Sequence, residues 1–153
     1  GVYFLEVGAV IRTSMISYNR SHSAFSEIEP SKVNWENALE DGEWMHWTGI
    51  TPALSHGAFD VLKEGLKLAR QKGIVVSADP TYRSGLWKYG QDPKEALIEL
   101  LHYSTIFIGG VNEINEVLGT DFGYSNEDFI EASKQLIAEF PSIEKVFDKI
   151  RTS

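Results

Sequence analysis

Hydrophobic and polar residues follow two different patterns along this chain, and the change comes near Pro30. Before it, residues Gly1–Val10 and Arg12–Asn19 are rich in β-forming side chains, with no helical segment between them. They predict two antiparallel strands that form a flap, and Arg20–Glu27 predicts a loop or the beginning of a third strand. After Pro30, short apolar runs alternate with segments whose apolar residues have helical spacing. That order predicts an α/β fold.

The second part of the chain predicts three strands that alternate with helices. The strands are residues 43–50, 74–76 and 105–108, and the helices are residues 33–39, 55–72, 92–103, 112–118, 125–140 and 142–150. Asp92-Pro93 and the Ser125-x-x-Asp128 pattern favour helix starts, and Gly73 favours a helix end. Strands joined through helices are parallel with right-handed crossovers, so we expect a small parallel sheet with two exposed edges.

The stretch from Ile74 to Trp87, IVVSADPTYRSGLW, is the centre of this arrangement. Its apolar run predicts a buried strand that stops at the breaker Ser77-Ala78-Asp79-Pro80. Tyr82 and Arg83 follow the carboxyl end of that strand, where ligands bind in open α/β sheets. The guanidinium of Arg83 suits a carboxylate or a phosphate. A solvated surface turn is the alternative interpretation, and position alone does not decide between the two.

Composition narrows the class of protein. The chain has 153 residues, a formal net charge of −8 and an isoelectric point near 5.0, which argues against nucleic acid or an anionic membrane as the main partner. It has no cysteine, which excludes disulfides and thiolate chemistry and is consistent with a cytoplasmic location. No apolar run approaches the ~18 residues of a membrane span. The four histidines lack metal-ligand spacing, and neither a G-x-S-x-G elbow nor a P-loop is present.

Two pairs of tyrosine and arginine recur in a chain that has only five arginines. One is Tyr18-Asn19-Arg20 in the flap, and the other is Tyr82-Arg83 after the central strand. A hydroxyl donor beside a guanidinium in both places suggests a small polar anion held between flap and sheet. Gly49, at the end of the strand 43–50, could let the backbone approach that ligand, although a tight turn before a helix is the simpler explanation.

Five short segments carry a resemblance to a known family. They are Gly1-Val2-Tyr3, Tyr18-Asn19-Arg20, Gly49–Ser55 (GITPALS), Asp79–Trp87 (D-x-x-YR-x-x-LW) and Gly109–Gly119. In this order they resemble the ribokinase-like (PfkB) sugar kinases, in particular the 2-keto-3-deoxygluconate kinase subgroup, over nearly all 153 residues. The resemblance implies a ribokinase-like fold, with a parallel three-layer α/β portion over residues 30–153 and an antiparallel β-flap, or lid, over residues 1–29. It also implies that the chain is the central part of such a kinase, truncated at both ends.

The resemblance also assigns candidate site residues. The implied substrate-binding residues are Tyr3, Tyr18 and Arg20 from the lid, Ile50 through its backbone, and Arg83, which faces the carboxylate end of the substrate. Glu113 is implied to assist a magnesium ion indirectly. The chain departs from the family pattern at two positions, because Thr81 and Gly110 stand where the family has asparagine.

The activity that the resemblance implies is transfer of the γ-phosphoryl group of ATP to a sugar acid, 2-keto-3-deoxygluconate, with Mg²⁺ as a cofactor. The catalytic aspartate of such kinases has no counterpart in these residues, so the chain alone is expected to be inactive. The flap is expected to pair across a homo-oligomer. Two alternatives are a PfkB kinase for another substrate, such as fructose or a nucleoside, and a non-catalytic binding or dimerisation module.

Overall fold

The flap consists of two short antiparallel strands. In this computed structural model, which describes residues 1–9 and 12–149, β1 (Val2–Glu6) pairs with β2 (Met15–Asn19). Tyr3 lies opposite Tyr18, and every residue of both strands is exposed. The predicted antiparallel flap is confirmed, although both strands are shorter than the sequence indicated. Val10, which falls in the first predicted strand, lies outside the described residues.

A short connection leads from the flap to the α/β part. It contains a 3-10 turn, Pro30–Lys32, and the four-residue helix α1 (Trp35–Ala38). The Trp35 indole donates a hydrogen bond to the carbonyl of Val61 (2.9 Å) and lies against Gly65, where any side chain would overlap the ring. The connection is therefore fastened to the first long helix of the α/β part.

The α/β part is built on a four-stranded parallel sheet. Its strands are β3 (Trp44–Thr48), β4 (Val75–Asp79), β5 (Ile106–Ile108) and β6 (Lys145–Phe147), and they lie side by side in that order. The register pairs Met45 with Val76, Ala78 with Phe107, and Phe107 with Val146. Because all the strands are parallel, their carboxyl ends meet at one edge of the sheet.

Longer helices connect these strands. They are α2 (His56–Gln71), α3 (Pro93–Leu101), α4 (Val111–Leu118) and α5 (Asn126–Glu139). The side chains of Ser55, Asp92 and Ser125 each accept a hydrogen bond from the third backbone N–H of the helix that follows. These caps satisfy donors that the helices leave unpaired, and they confirm the predicted helix starts. In the part of the chain that the structure describes, no helix is long and apolar enough to cross a membrane.

The core lies on one face of the sheet. The strand residues in it are Met45, Trp47, Val76, Ala78 and Phe107, and they pack against buried residues of α2 to α5. Side chains of the intervening strand positions point the other way, and they include two large apolar residues that are largely exposed, Trp44 (59%) and Phe147 (52%). The α/β class and the parallel sheet are confirmed. The described residues supply the sheet and one layer of helices.

The segment predicted as the last helix, residues 142–150, forms strand β6 instead. Its Glu and Lys residues favour a helix in isolation. In the folded chain, Ile143 is only 1% exposed, and the Glu144 N–H donates to the carbonyl of Thr105 (2.8 Å) at the edge of β5. Pairing along that edge and burial of Ile143 outweigh the local helix propensity. The prediction was therefore wrong here, and the sheet has four strands rather than three. Ile150 lies outside the described residues.

The central strand also extends further than the sequence predicted. β4 continues through Ser77 and Ala78 to Asp79 and ends before Pro80. Ser77 does not break the strand, because its hydroxyl has partners on β3: the Trp44 indole donates to it (2.8 Å), and His46 Nδ1 lies 2.7 Å away. The carboxylate of Asp79 consequently lies at the carboxyl edge of the sheet.

Candidate functional site

A cleft of about 460 Å³ opens between the flap and the carboxyl ends of β3 and β4. Its lining residues are Tyr18 and Arg20 from the flap, Ile50 after β3, and Tyr82, Arg83, Ser84, Gly85 and Leu86 after β4. Four of the five substrate-binding residues predicted from the sequence thus line one cleft. The fifth, Tyr3, is not part of the lining, but its ring centroid lies 6.1 Å from that of Tyr18.

The flap presents a cation beside an aromatic ring. The guanidinium carbon of Arg20 lies 4.6 Å from the ring centroid of Tyr18, which is within the range of a cation–π interaction. Arg83 supplies a second guanidinium on the opposite wall, and none of the described residues that line the cleft is a carboxylate. Two guanidinium groups without a facing carboxylate make the cleft suitable for a small anion.

Gly49 determines how closely the ends of β3 and β4 approach each other. Its N–H donates to the carbonyl of Asp79 (2.8 Å), and a Cβ at this position would overlap the carbonyl oxygen of Thr81. Only glycine allows this approach, so the turn that carries Ile50 is pressed against the loop that carries Arg83. The sequence left a tight turn and a close backbone approach as alternatives, and the structure contains both.

A second polar group, which we call the charged cluster, lies at the same edge of the sheet. It consists of Asp79, Thr81, Glu113 and Lys149. Lys149 Nζ lies 2.8 Å from Asp79 Oδ1, 3.0 Å from Thr81 Oγ1 and 3.6 Å from Glu113 Oε1. The Thr81 hydroxyl also donates to Asp79 Oδ1. One ammonium group is therefore shared by oxygen atoms from the end of β4 and from α4.

Two opposing effects act on the ionisation of Asp79. Burial alone would raise the pKa of its carboxyl group, but hydrogen bonds from Lys149 and Thr81 outweigh burial and hold the pKa below its usual value. Asp79 is consequently an anion at neutral pH and forms an ion pair with Lys149.

A larger pocket of about 790 Å³ adjoins the charged cluster. Its lining comprises the N-terminal residues of α4 and α5 together with Tyr124, Phe129, Asp148 and Lys149. Glu113 borders it and is oriented by the backbone, because the Gly110 N–H donates to its Oε2 (2.9 Å). Among residues 1–9 and 12–149, no group of three or more His, Cys, Asp or Glu side chains could hold a metal ion. The protein side of this pocket thus offers the oriented carboxylate of Glu113 together with that of Asp148, and not a chelating set of three.

The two departures from the family pattern both belong to this region. Thr81 contributes its hydroxyl to the charged cluster. Gly110 contributes the backbone N–H that orients Glu113. A Cβ at position 110 would lie 3.1 Å from Asp148 Oδ1, so a larger residue there would require Asp148 to shift slightly.

Sequence reasoning missed Lys149 because the surrounding residues were predicted to be helical. The signal that would have revealed it is the apolar pair Val146-Phe147 followed by the polar pair Asp148-Lys149. A short strand that ends in polar residues places them at the ligand edge of a parallel sheet.

Several known proteins are similar to this chain in sequence and in fold. A 2-dehydro-3-deoxygalactonokinase from Haloferax volcanii is 29% identical over 121 residues, which are 79% of this chain and 37% of that protein. The crystal structure of 2-dehydro-3-deoxygluconokinase from Thermotoga maritima matches 99% of this chain and 46% of its own, with 33% identity and a TM-score of 0.86. A PfkB family carbohydrate kinase from Listeria grayi matches 99% of this chain and 45% of its own, with 24% identity and a TM-score of 0.84. No family model matches the sequence.

Nucleotide binding is recorded for a more distant protein of the same fold. A fructokinase from Xylella fastidiosa, whose crystal structure contains bound ATP, is 18% identical and matches 91% of this chain and 42% of its own, with a TM-score of 0.69. The chain spans less than half the length of each of these proteins. The chain therefore matches part of a ribokinase-like (PfkB) carbohydrate kinase in sequence and in fold.

Proposed function

We propose that the protein carrying this chain is a kinase that transfers the γ-phosphoryl group of ATP to the terminal hydroxyl of 2-keto-3-deoxygluconate, also called 2-dehydro-3-deoxygluconate. The observation that carries the proposal is the cleft that Arg20 and Arg83 both line, and to which none of the described lining residues contributes a carboxylate. The names of the Haloferax and Thermotoga relatives support a deoxygenated keto sugar acid as the substrate class.

The substrate has a carboxylate at one end and hydroxyls along its chain, and the cleft offers groups for both. Arg83 binds the carboxylate, since a guanidinium and a carboxylate form paired hydrogen bonds. Arg20, held over Tyr18, adds a second positive charge from the lid. Tyr18 and Tyr3 donate to or accept from the substrate hydroxyls, and Ile50 contributes its backbone. Catalysis then rests on holding the acceptor hydroxyl in line with the phosphate.

The cofactors in this proposal are ATP and Mg²⁺, and Glu113, which borders the larger pocket, is the residue that would face the donor phosphates and the metal ion. One oriented carboxylate is compatible with Mg²⁺ binding, because Mg²⁺ in such sites keeps several waters and takes most of its other ligands from the nucleotide phosphates. Bound Mg²⁺ would neutralise charge on the transferring group. We place the catalytic aspartate outside these 153 residues and expect the isolated chain to be inactive. A cytoplasmic location would supply MgATP.

Replacing Arg83 tests the assignment of the carboxylate. In the full-length protein, Arg83→Ala should raise the KM for 2-keto-3-deoxygluconate about 10- to 100-fold, because a charge-assisted hydrogen bond contributes about 1.5–3 kcal/mol. Phosphorylation is measured with MgATP and the sugar acid as the only acceptor. The matched control is Arg70→Ala, at an exposed arginine in the last turn of α2, which should leave the KM unchanged.

Substrate competition separates this proposal from its alternatives. A wild-type protein that phosphorylates fructose or a nucleoside as readily as the sugar acid would make it a PfkB kinase for another substrate, and Arg83→Ala would then not change the preference. A full-length protein with no turnover on any of these acceptors would instead point to a non-catalytic binding or dimerisation module.

We also propose that the flap pairs with the flap of a second copy. Val2, Phe4 and Met15 lie on the face that does not carry Tyr18, and they are 60%, 66% and 62% exposed. Three large apolar side chains on one face of a two-stranded sheet are costly to leave in water. Phe4→Glu should therefore shift the full-length protein toward monomer in sedimentation velocity. Phe25→Glu, at a 50% exposed phenylalanine outside the flap strands, is the control. A monomeric wild type would contradict the proposal.

A further inference from the structure

The side chain of Lys149 reaches across the end of a neighbouring strand. Lys149 follows β6, whereas its partner Asp79 ends β4, and β5 lies between the two strands. Strands two positions apart in a sheet are separated by about 10 Å. The ammonium nevertheless lies 2.8 Å from Asp79 Oδ1 and 3.0 Å from Thr81 Oγ1. A long side chain is therefore held extended over the end of β5.

These two contacts anchor the ammonium, and its third neighbour is Glu113. The distance from Nζ to Glu113 Oε1 is 3.6 Å, which is an ion-pair distance, while the other oxygen of Glu113 accepts the Gly110 N–H (2.9 Å). One oxygen of the Glu113 carboxylate thus faces the Lys149 ammonium, and the other accepts a hydrogen bond from the Gly110 N–H. The rotamer of Glu113 is consequently fixed from two sides.

The charges in the cluster make Lys149 necessary for this arrangement. Asp79 and Glu113 are both acidic, and they would repel each other without a cation between them. Their side chains are 27% and 19% exposed, so water screens the repulsion only in part. Within the described residues, no group of three or more His, Cys, Asp or Glu side chains is arranged to hold a metal ion that could separate the two carboxylates. Lys149 is the cation that the structure places at this point.

We propose that Lys149 is a positioning residue for phosphoryl transfer, which holds the Glu113 carboxylate toward the larger pocket from an anchor on Asp79 and Thr81. The inference rests on the proposed function, because it gives Glu113 a bound nucleotide phosphate and its metal ion to face. Lys149 does not line the cleft that contains Arg20 and Arg83. It should therefore affect the phosphate side of the reaction and leave sugar-acid binding alone.

The test compares two ligands on the full-length protein with Lys149→Met, which keeps an unbranched side chain one atom shorter and removes its charge. Calorimetry measures the affinity for the Mg²⁺ complex of a non-hydrolysable ATP analogue and, separately, for 2-keto-3-deoxygluconate. We expect about 10-fold weaker nucleotide binding and a kcat lowered about 10- to 100-fold, which is the usual effect of losing a residue that orients a metal-assisting carboxylate. The affinity for the sugar acid should change less than about 2-fold, since Lys149 is absent from that cleft.

Two further variants complete the experiment. Lys149→Arg restores the charge and should recover most of the nucleotide affinity. Lys134→Met, at an exposed lysine of α5 whose recorded partner is Glu131, should behave as wild type. The proposal is overturned if Lys149→Met leaves the nucleotide affinity unchanged. It is equally overturned if sugar-acid affinity falls as much as nucleotide affinity, because Lys149 would then only brace the loop that carries Arg83.

A folding failure of Lys149→Met would still leave the proposal testable. Asp79→Asn combined with Lys149→Met removes the anchoring carboxylate together with the ammonium, so Asp79 is not left as a half-buried charge without a partner. This double variant should show the same selective loss of nucleotide affinity, and wild-type affinity would overturn the proposal. The calorimetric comparison can be interpreted even if the proposed function is wrong. A wild-type protein that binds the nucleotide but phosphorylates no sugar acid refutes the proposed function, and calorimetry still measures the effect of Lys149 on nucleotide affinity.

Discussion

At the scale of single residues, Tyr89 ties the loop that lines the cleft to the body of the α/β part. Its hydroxyl donates to the carbonyl of Pro52, and its ring lies 4.5 Å from that of His56 at the start of α2. Burial, together with the nearby charge of Asp60, raises the pKa of Tyr89 to about 12. The neutral phenol is therefore part of what stabilises the fold.

This raised pKa predicts a loss of stability in alkali. An unfolded tyrosine has a pKa of about 10, so the stabilisation from neutral Tyr89 is complete below pH ~10 and is lost as the pH rises through the folded-state value. Tyr89→Phe should lower the free energy of unfolding at neutral pH by about 1 kcal/mol and weaken its fall between pH ~10 and ~12. Urea unfolding of the full-length protein over this range measures both effects. Tyr124→Phe, at a 79% exposed tyrosine, is the control, and an equal change in that variant would refute the assignment to Tyr89.

Residues whose structure depends on their immediate neighbours could be predicted from the sequence, and the pairing of Lys149 with Asp79 could not. Ser125 caps α5 through Asp128, three positions away, so the signal is complete within four letters of sequence. Lys149 meets Asp79, 70 positions earlier, and that contact exists only because β6 pairs with β5. No local pattern contains information about such a register. The same limit explains why Arg20 and Arg83 could be named as candidates but their shared cleft could not be derived.

At the scale of elements, the close packing of the turn after β3 against the loop after β4 predicts an asymmetry between two glycines. Gly49→Ala should destabilise the full-length protein by about 1–3 kcal/mol, because its Cβ would overlap the carbonyl oxygen of Thr81. Gly85→Ala, in the same cleft, should have little effect, since a Cβ there has no atom within 4 Å. Thermal unfolding of the two variants checks this, and equal melting temperatures would refute it.

The segment whose secondary structure was predicted wrongly shows whether local helix propensity or sheet pairing determines the structure when the two disagree. Residues 142–150 contain good helix formers, yet β5 leaves an open edge, and a strand placed there gains backbone hydrogen bonds while Ile143 is buried. Helices α2, α3 and α5 were predicted correctly because their caps and apolar spacing agree with their tertiary role. Where local propensity and sheet pairing disagreed, sheet pairing determined the structure.

At the scale of the whole molecule, charge is distributed unevenly. The chain carries a net charge of −8, yet Arg20 and Arg83 both line the cleft at the carboxyl edge of the sheet, where none of the described lining residues is a carboxylate. Local positive potential in an otherwise acidic protein guides small anions to that edge and away from the remaining surface. Composition alone argued only against polyanionic partners. The arrangement of these residues in three dimensions adds a preference for small anions as ligands.

The order of the strands has a consequence for how the molecule is made. In the sheet β3-β4-β5-β6, each strand lies beside the one that precedes it in the chain. During synthesis, β4, β5 and β6 each emerge after the strand beside which they lie, so each finds that strand already outside the exit tunnel. Among the described residues, these three strands can therefore pair without waiting for a segment not yet translated, which limits the unpaired strand edge exposed to other nascent chains. The α/β part can therefore grow by addition at one side, in step with translation.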